Sequence, residues 1–175
     1  MSSIFESAFK GDVVTPTDHG YDDAIFRWSK TAVRRAAIVA FVKSAEDVAL
    51  ALRYAVDHKL AVAVRGGGHS AAGNSSVEGG LVIDLSRYLN GVRVDPERKL
   101  GYVGGGAIWE TVDKTNIQYG LATVAGTVSH VSLFSAGRYI FWTSFLLHFP
   151  DRSRRVRSQL LKLHLKLIAI VWLVR

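Results

Sequence analysis

Arg65-Gly66-Gly67-Gly68-His69-Ser70 sets a guanidinium, three residues without side chains, an imidazole and a hydroxyl in six consecutive positions. Glycine lets the backbone take positive φ and approach a ligand closely, so successive N–H groups can converge on one anion. Arg65 adds charge to that cradle, and the combination reads as a phosphate-holding turn. The preceding Leu60-Ala61-Val62-Ala63-Val64 is short, apolar and rich in valine. It predicts a buried strand that delivers the turn at its carboxyl end, where α/β folds place ligands. For the glycines alone, a plain connection between two strands is the alternative reading. The spacing matches neither G-x-G-x-x-G nor G-x-x-x-x-G-K-[ST], so the two familiar nucleotide loops are not supported.

The motif extends. Arg65 to Ser70, then Ala71-Ala72-Gly73-Asn74-Ser75-Ser76, then Gly79-Gly80-Leu81-Val82-Ile83-Asp84-Leu85-Ser86, resembles the FAD-binding domain of berberine-bridge-enzyme-like flavoproteins, in the wider vanillyl-alcohol-oxidase group. In that family R-G-G-G-H-S wraps the FAD pyrophosphate, and its histidine bonds covalently to the flavin 8α-methyl group. The resemblance therefore implies that Arg65, Gly66, Gly67, Gly68, Ser70 and Asn74 contact FAD and that His69 is the attachment point. Taken as a residue type alone, His69 reads first as a capping or solvent-facing loop histidine, and it is the motif around it that favours the flavin.

The elements that must position this turn follow from pattern. Val13-Val14-Thr15-Pro16 reads as an extended segment turning at the proline, and Tyr21 to Ser29 as a short helix with aromatics inward, Trp28 among the core residues. The same stretch resembles the family's V-x-x-P and Y-x-x-A-x-x-R-W patterns, with Ala36 where relatives carry proline. Ala37 to Val42 is a strand candidate. Ser44 with Asp47 forms a capping-box arrangement, and Val48, Leu52, Ala55 and Val56 recur at helical spacing. Strand, helix, strand and glycine turn make a unit of βαβ type. Leu81 to Leu85 is a further buried strand, its Asp84 a turn or cap residue or a second contact near the nucleotide. Asn90-Gly91 predicts a hairpin between Leu85–Leu89 and Val92–Val94, and Asp95-Pro96-Glu97-Arg98 another turn before Leu100 to Val103. Gly104-Gly105-Gly106 leads into a helix carrying Ile108, Trp109 and Val112 and stopping at Gly120. Tight strand-to-helix packing is the preferred reading of that cluster over direct anion contact.

Leu121 to His130 resembles the family's second FAD-contacting loop, which implies contacts from Gly126, Thr127, Ser129 and His130. Some relatives place a cysteine two residues after that glycine and form a second flavin bond. Val128 stands there in this chain, so only a histidyl bond is expected. The fold class expected is α+β, the truncated N-terminal portion of a PCMH-type FAD-binding domain with a βαβ-type unit and further mixed strands. Residues 1–130 are expected to be the partial FAD-binding domain and 131–175 a divergent basic and hydrophobic tail.

Composition bounds the classes. The chain has 175 residues, enough for one domain with a real core, and no cysteine, which excludes disulfides, thiol catalysis and cysteine-based metal sites. No metal site is expected. Its net charge of +7 lies wholly after residue 130: the first 130 residues carry 14 basic and 14 acidic side chains, the rest 8 and 1. The tail combines Tyr139 to Phe149, the Arg152 to Arg157 cluster and Leu160 to Arg175. Neither apolar run reaches the roughly 18 consecutive apolar residues of a membrane span. Lys162, His164 and Lys166 alternate by two, as in a strand. Val131-Ser132 can be encoded by GTGAGT, a splice-donor-like start, so the tail is expected to be translated intron or a shifted frame. No signal peptide opens the chain, leaving the cytoplasm as the default expectation.

The resemblance implies an FAD-dependent oxidoreductase acting on a small organic molecule, with dioxygen as electron acceptor. No nucleic-acid partner and no membrane contact by the tail are expected, and the oligomeric state stays open. A catalytically inactive flavin-binding fragment is the first alternative, and a basic-tail membrane or nucleic-acid binder the second.

Overall fold

The computed structural model describes residues 8–124 and 126–132, with the backbone of 168–172. The chain is α+β. Ten principal elements run in the order β1 (Asp12–Val14), α1 (Tyr21–Ile25), β2 (Ile38–Phe41), α2 (Ala45–Asp57), β3 (Val62–Arg65), β4 (Leu81–Asp84), β5 (Val92–Asp95), β6 (Leu100–Gly104), α3 (Trp109–Asn116) and β7 (Ile168–Trp172).

The first sheet has the order β1-β2-β4-β3. β2 and β3 both run parallel to β4, so β4 lies between the two strands of the expected βαβ unit, while β1 closes the far edge antiparallel to β2. Four consecutive buried residues in β2 and again in β4 show both faces covered. On one face α2 lays Val48, Ala51, Leu52 and Ala55 against Ile38, Ala40, Leu81 and Ile83. On the other, Tyr21, Ala24 and Ile25 pack on Val39, Phe41, Ala63 and Val82. α2 starts where expected, because Ser44 Oγ accepts from Asp47 N–H at 3.4 Å. The Asp47 carboxylate reaches one residue further back than a capping box requires, to Lys43 N–H at 2.8 Å, and also takes Lys10 N–H at 2.9 Å.

Several expectations are corrected. β3 begins at Val62 and is a sheet edge; the α2 helix spans β2 and β4 only, leaving Val62 40% and Val64 37% exposed, and Val56 of α2 54% exposed. Leu85–Leu89 is a turn, with Leu89 N–H bonded to Leu85 O and Asn90 Nδ2 to Ser86 O, so Asn90-Gly91 joins no hairpin there. The hairpin is β5–β6, turned by Asp95 to Lys99. Trp28 is 63% exposed and belongs to no core.

The second sheet has the order β5-β6-β7, all antiparallel. Its core joins Val103, Ala107, Trp109, Val112 and Leu121. A Cβ on Gly104 or Gly106 would strike the carbonyls of Leu89 and Leu85, so this cluster is packed tightly against the Leu85–Leu89 turn rather than against the helix that the sequence suggests. β7 belongs to the tail and pairs with β6 from Leu100 to Gly104. The aromatic run, the arginine cluster, the Lys162–Lys166 alternation and the readings attached to them lie outside the described residues.

Candidate functional site

β3 ends at Arg65 and the glycine turn leaves it at the carboxyl end of the parallel strands. Arg65 Nη1 donates to Asp84 Oδ2 and to Ala24 O, both at 3.0 Å. Asp84, at the same level of β4 and fully buried, also accepts from Ser86 N–H at 2.8 Å and Ser86 Oγ at 2.6 Å. Asp84 thus holds the guanidinium at the base of the turn, and Arg65 Nε remains buried without a hydrogen-bond partner.

Gly68 takes φ +73°, a value costly for any residue with a Cβ. A Cβ on Gly66 would lie 2.9 Å from Gly105 O and one on Gly67 3.1 Å from Ser132 N, so the turn is pressed onto the second sheet. Among the described residues, no hydrogen bond is donated by the N–H groups of Gly66, Gly67, Gly68, His69 or Ser70. These five successive N–H groups follow the guanidinium of Arg65 with no acceptor among the described residues, and such donors can hold an anion where they converge.

His69 is half-buried between two rings: Trp28 at 5.6 Å and His130 at 4.9 Å between centroids. Burial, and then the neighbouring His130, hold its pKa below the ordinary imidazole value. The fold therefore brings His130 to His69 and Ser132 to Gly66 and Gly67 across more than 60 residues of sequence. Gly126 packs over the indole of the buried Trp109. Thr127 and Ser129 are exposed, and Ser129 uses its carbonyl on Glu110 N–H at 2.7 Å. Val131 O takes Trp109 N–H at 3.1 Å, so the start of α3 is occupied by this loop. Asn74 is exposed and meets the turn only through its N–H, bonded to Ser70 Oγ at 3.2 Å.

Sequence reasoning missed Arg27. It is 1% exposed, and its guanidinium serves carbonyls only: Ser75 O from Nε at 3.1 Å and Nη2 at 2.7 Å, and Ala24 O and Phe26 O from Nη1. Burial, reinforced by Arg65, lowers its pKa to about 10. An arginine set among Ile25, Phe26 and Trp28 was the available signal. An open hollow of about 440 Å³ beside Asp18, Tyr21 and Arg35 contains none of the candidate residues. No group of acidic or histidine side chains suited to a metal occurs among the described residues, and no described helix is long and apolar enough to cross a membrane.

A family model described as an FAD binding domain matches residues 36–136, which include both loops and strands β2 to β6. The chain belongs to this FAD-binding family. (R)-6-hydroxynicotine oxidase of Paenarthrobacter nicotinovorans is 36% identical over 119 residues, 68% of this chain and 26% of the relative. The FAD-linked oxidoreductase hasG of Aspergillus fumigatus is 38% identical over 135 residues, 77% of this chain and 29% of its own. The crystal structure of 6-hydroxy-D-nicotine oxidase from Arthrobacter nicotinovorans superposes with a TM-score of 0.69 at 35% identity, over 71% of this chain and 27% of that one. The chain spans between a quarter and a third of the length of these relatives, and FAD is the cofactor of its family.

Proposed function

We propose that this chain is the N-terminal part of the FAD-binding domain of an oxidoreductase, with the Arg65–Ser70 turn receiving the FAD diphosphate and His69 bonded to the flavin. The observation that carries the reading is the run of five uncommitted N–H groups from Gly66 to Ser70, ending at an imidazole held between two rings. Arg65 supplies positive charge, and Asp84 fixes its position. FAD, when bound, supplies a two-electron acceptor for hydride from a substrate C–H bond.

The residues fit that group. The glycines leave room that a Cβ would fill, and a lowered pKa keeps His69 neutral, with a lone pair on one nitrogen. His69 would hold the flavin through a C–N bond to its 8α-methyl carbon in place of one methyl C–H and the imidazole N–H, and dioxygen would take up the two electrons and two protons as hydrogen peroxide. Val128 offers no thiol for a second bond. Gly126, Thr127, Ser129 and His130 then line the cofactor from the second loop, and Asn74 stands at the outer end of the turn. We assign the FAD-binding part to residues 1–130, with the reaction being oxidation of a small organic molecule by dioxygen.

A second reading, a flavin-binding piece without turnover, is favoured by β3, which stands at the edge of its sheet among the described strands with Val62 and Val64 partly exposed. The test is the intact mass of the 175-residue chain expressed with flavin available, beside His69→Ala. An FAD-sized increase that vanishes in the variant supports the reading, and a chain that retains no FAD in any form overturns it. Hydrogen peroxide release by the loaded chain then separates the two readings.

A further inference from the structure

We propose that Trp28 is a positioning residue for His69, its indole forming one wall against the imidazole and its backbone clamping the turn from which His69 projects. The inference rests on the flavin reading for its purpose and on geometry for its substance. An indole that is 63% exposed contributes little to a core, yet this one faces the His69 ring at 5.6 Å with 32° between planes. The Trp28 backbone N–H donates to Gly68 O at 3.3 Å, the carbonyl immediately before His69. The adjacent Arg27 carries the other half of the clamp. Its guanidinium takes Ser75 O with two nitrogens, and its Cδ lies 3.4 Å from where a Gly68 Cβ would stand.

The dipeptide Arg27-Trp28 therefore grips the segment Gly68–Ser75 at both ends. Burying a guanidinium with no carboxylate of its own is costly, and such groups persist where their hydrogen bonds hold something in place. Contacts with Trp28 at 5.6 Å and His130 at 4.9 Å limit the orientations open to the imidazole. The described ring contacts of His69 are with these two side chains, and His130 is the neighbouring group that acts on its titration after burial itself.

The test uses the full chain without cofactor. In 15N-histidine-labelled protein, His69 is assigned by its loss in His69→Ala. The unmodified chain should show nuclear Overhauser contacts between the Trp28 indole and the His69 ring, a measurement that needs no variant to fold. Removing the indole in Trp28→Ala exposes His69 to water, so its titration should move up toward the ordinary imidazole value, whereas Trp28→Phe should retain most of the depression. Missing contacts in the unmodified chain, or an unmoved His69 titration in folded Trp28→Ala, overturn the proposal. A second arm follows FAD adduct formation by intact mass, expected to slow several-fold in Trp28→Ala and little in Trp28→Phe. Failure of the unmodified chain to form an adduct refutes the covalent reading alone, because the cofactor-free measurements still decide the role of Trp28.

Discussion

Asp84 fixes the charge of the cradle before any ligand arrives. Its carboxylate is fully buried and accepts from Arg65, whose side chain is only 15% exposed. Removing one member of such a pair leaves the other charge buried without its partner, at about 3–5 kcal/mol. Asp84→Ala should therefore lower the urea midpoint by a large part of the total stability, whereas Asp84→Asn, which keeps an acceptor for the Ser86 groups, should cost less. His69 makes a separate statement about pH. Its folded-state pKa lies below 6.5, first through burial and then through His130. Between that lowered value and 6.5 the unfolded chain binds a proton that the folded chain does not, so stability falls as the pH is lowered through the window. Denaturation at a series of pH values should show this slope, and His69→Gln should flatten it.

At the scale of elements, α2 makes the clearest case. Ser44 caps it with a long 3.4 Å bond, while Asp47 keeps two further N–H groups satisfied, so Ser44→Ala should cost about 0.5–1 kcal/mol by thermal melting, the low end for a cap. This helix was legible because its cap and its Val48-Leu52-Ala55 spacing are local features. β2 and β4 were legible for the same reason, as apolar runs between turns. The exposure of β3 was not, since Leu60–Val64 reads alike whether one face or two are covered, and the width of α2 decides the matter. Asn90-Gly91 misled because Leu85 to Leu89 turn under contacts from Gly104 and Gly106, which a local pattern does not contain. In the site, the turn and His69 could be read directly. Arg27, Trp28 and the meeting of His69 with His130 depend on contacts between distant segments and required the fold.

The described residues form two sheets with separate cores, which meet where the glycine turn contacts Gly105 and Ser132. The seam runs along the glycine turn: Gly66 lies against Gly105, Gly67 against Ser132, and the His69 and His130 rings lie 4.9 Å apart. On the proposed reading FAD contacts both halves, so its binding energy would stabilise the junction. At a free concentration one hundred times its dissociation constant, FAD should add about 2.7 kcal/mol to the unfolding free energy. For a chain of this size that corresponds to a rise in Tm of roughly 5–11 °C. Val in place of Gly67 puts a branched side chain where a single Cβ already stands 3.1 Å from the Ser132 backbone, and should wedge the halves apart. Gly67→Val should keep the helical signal of the first sheet and its α2 while losing most of the FAD-induced rise. An equal rise in the variant would mean that FAD is held by the turn alone, and that the second sheet contributes nothing to retaining it.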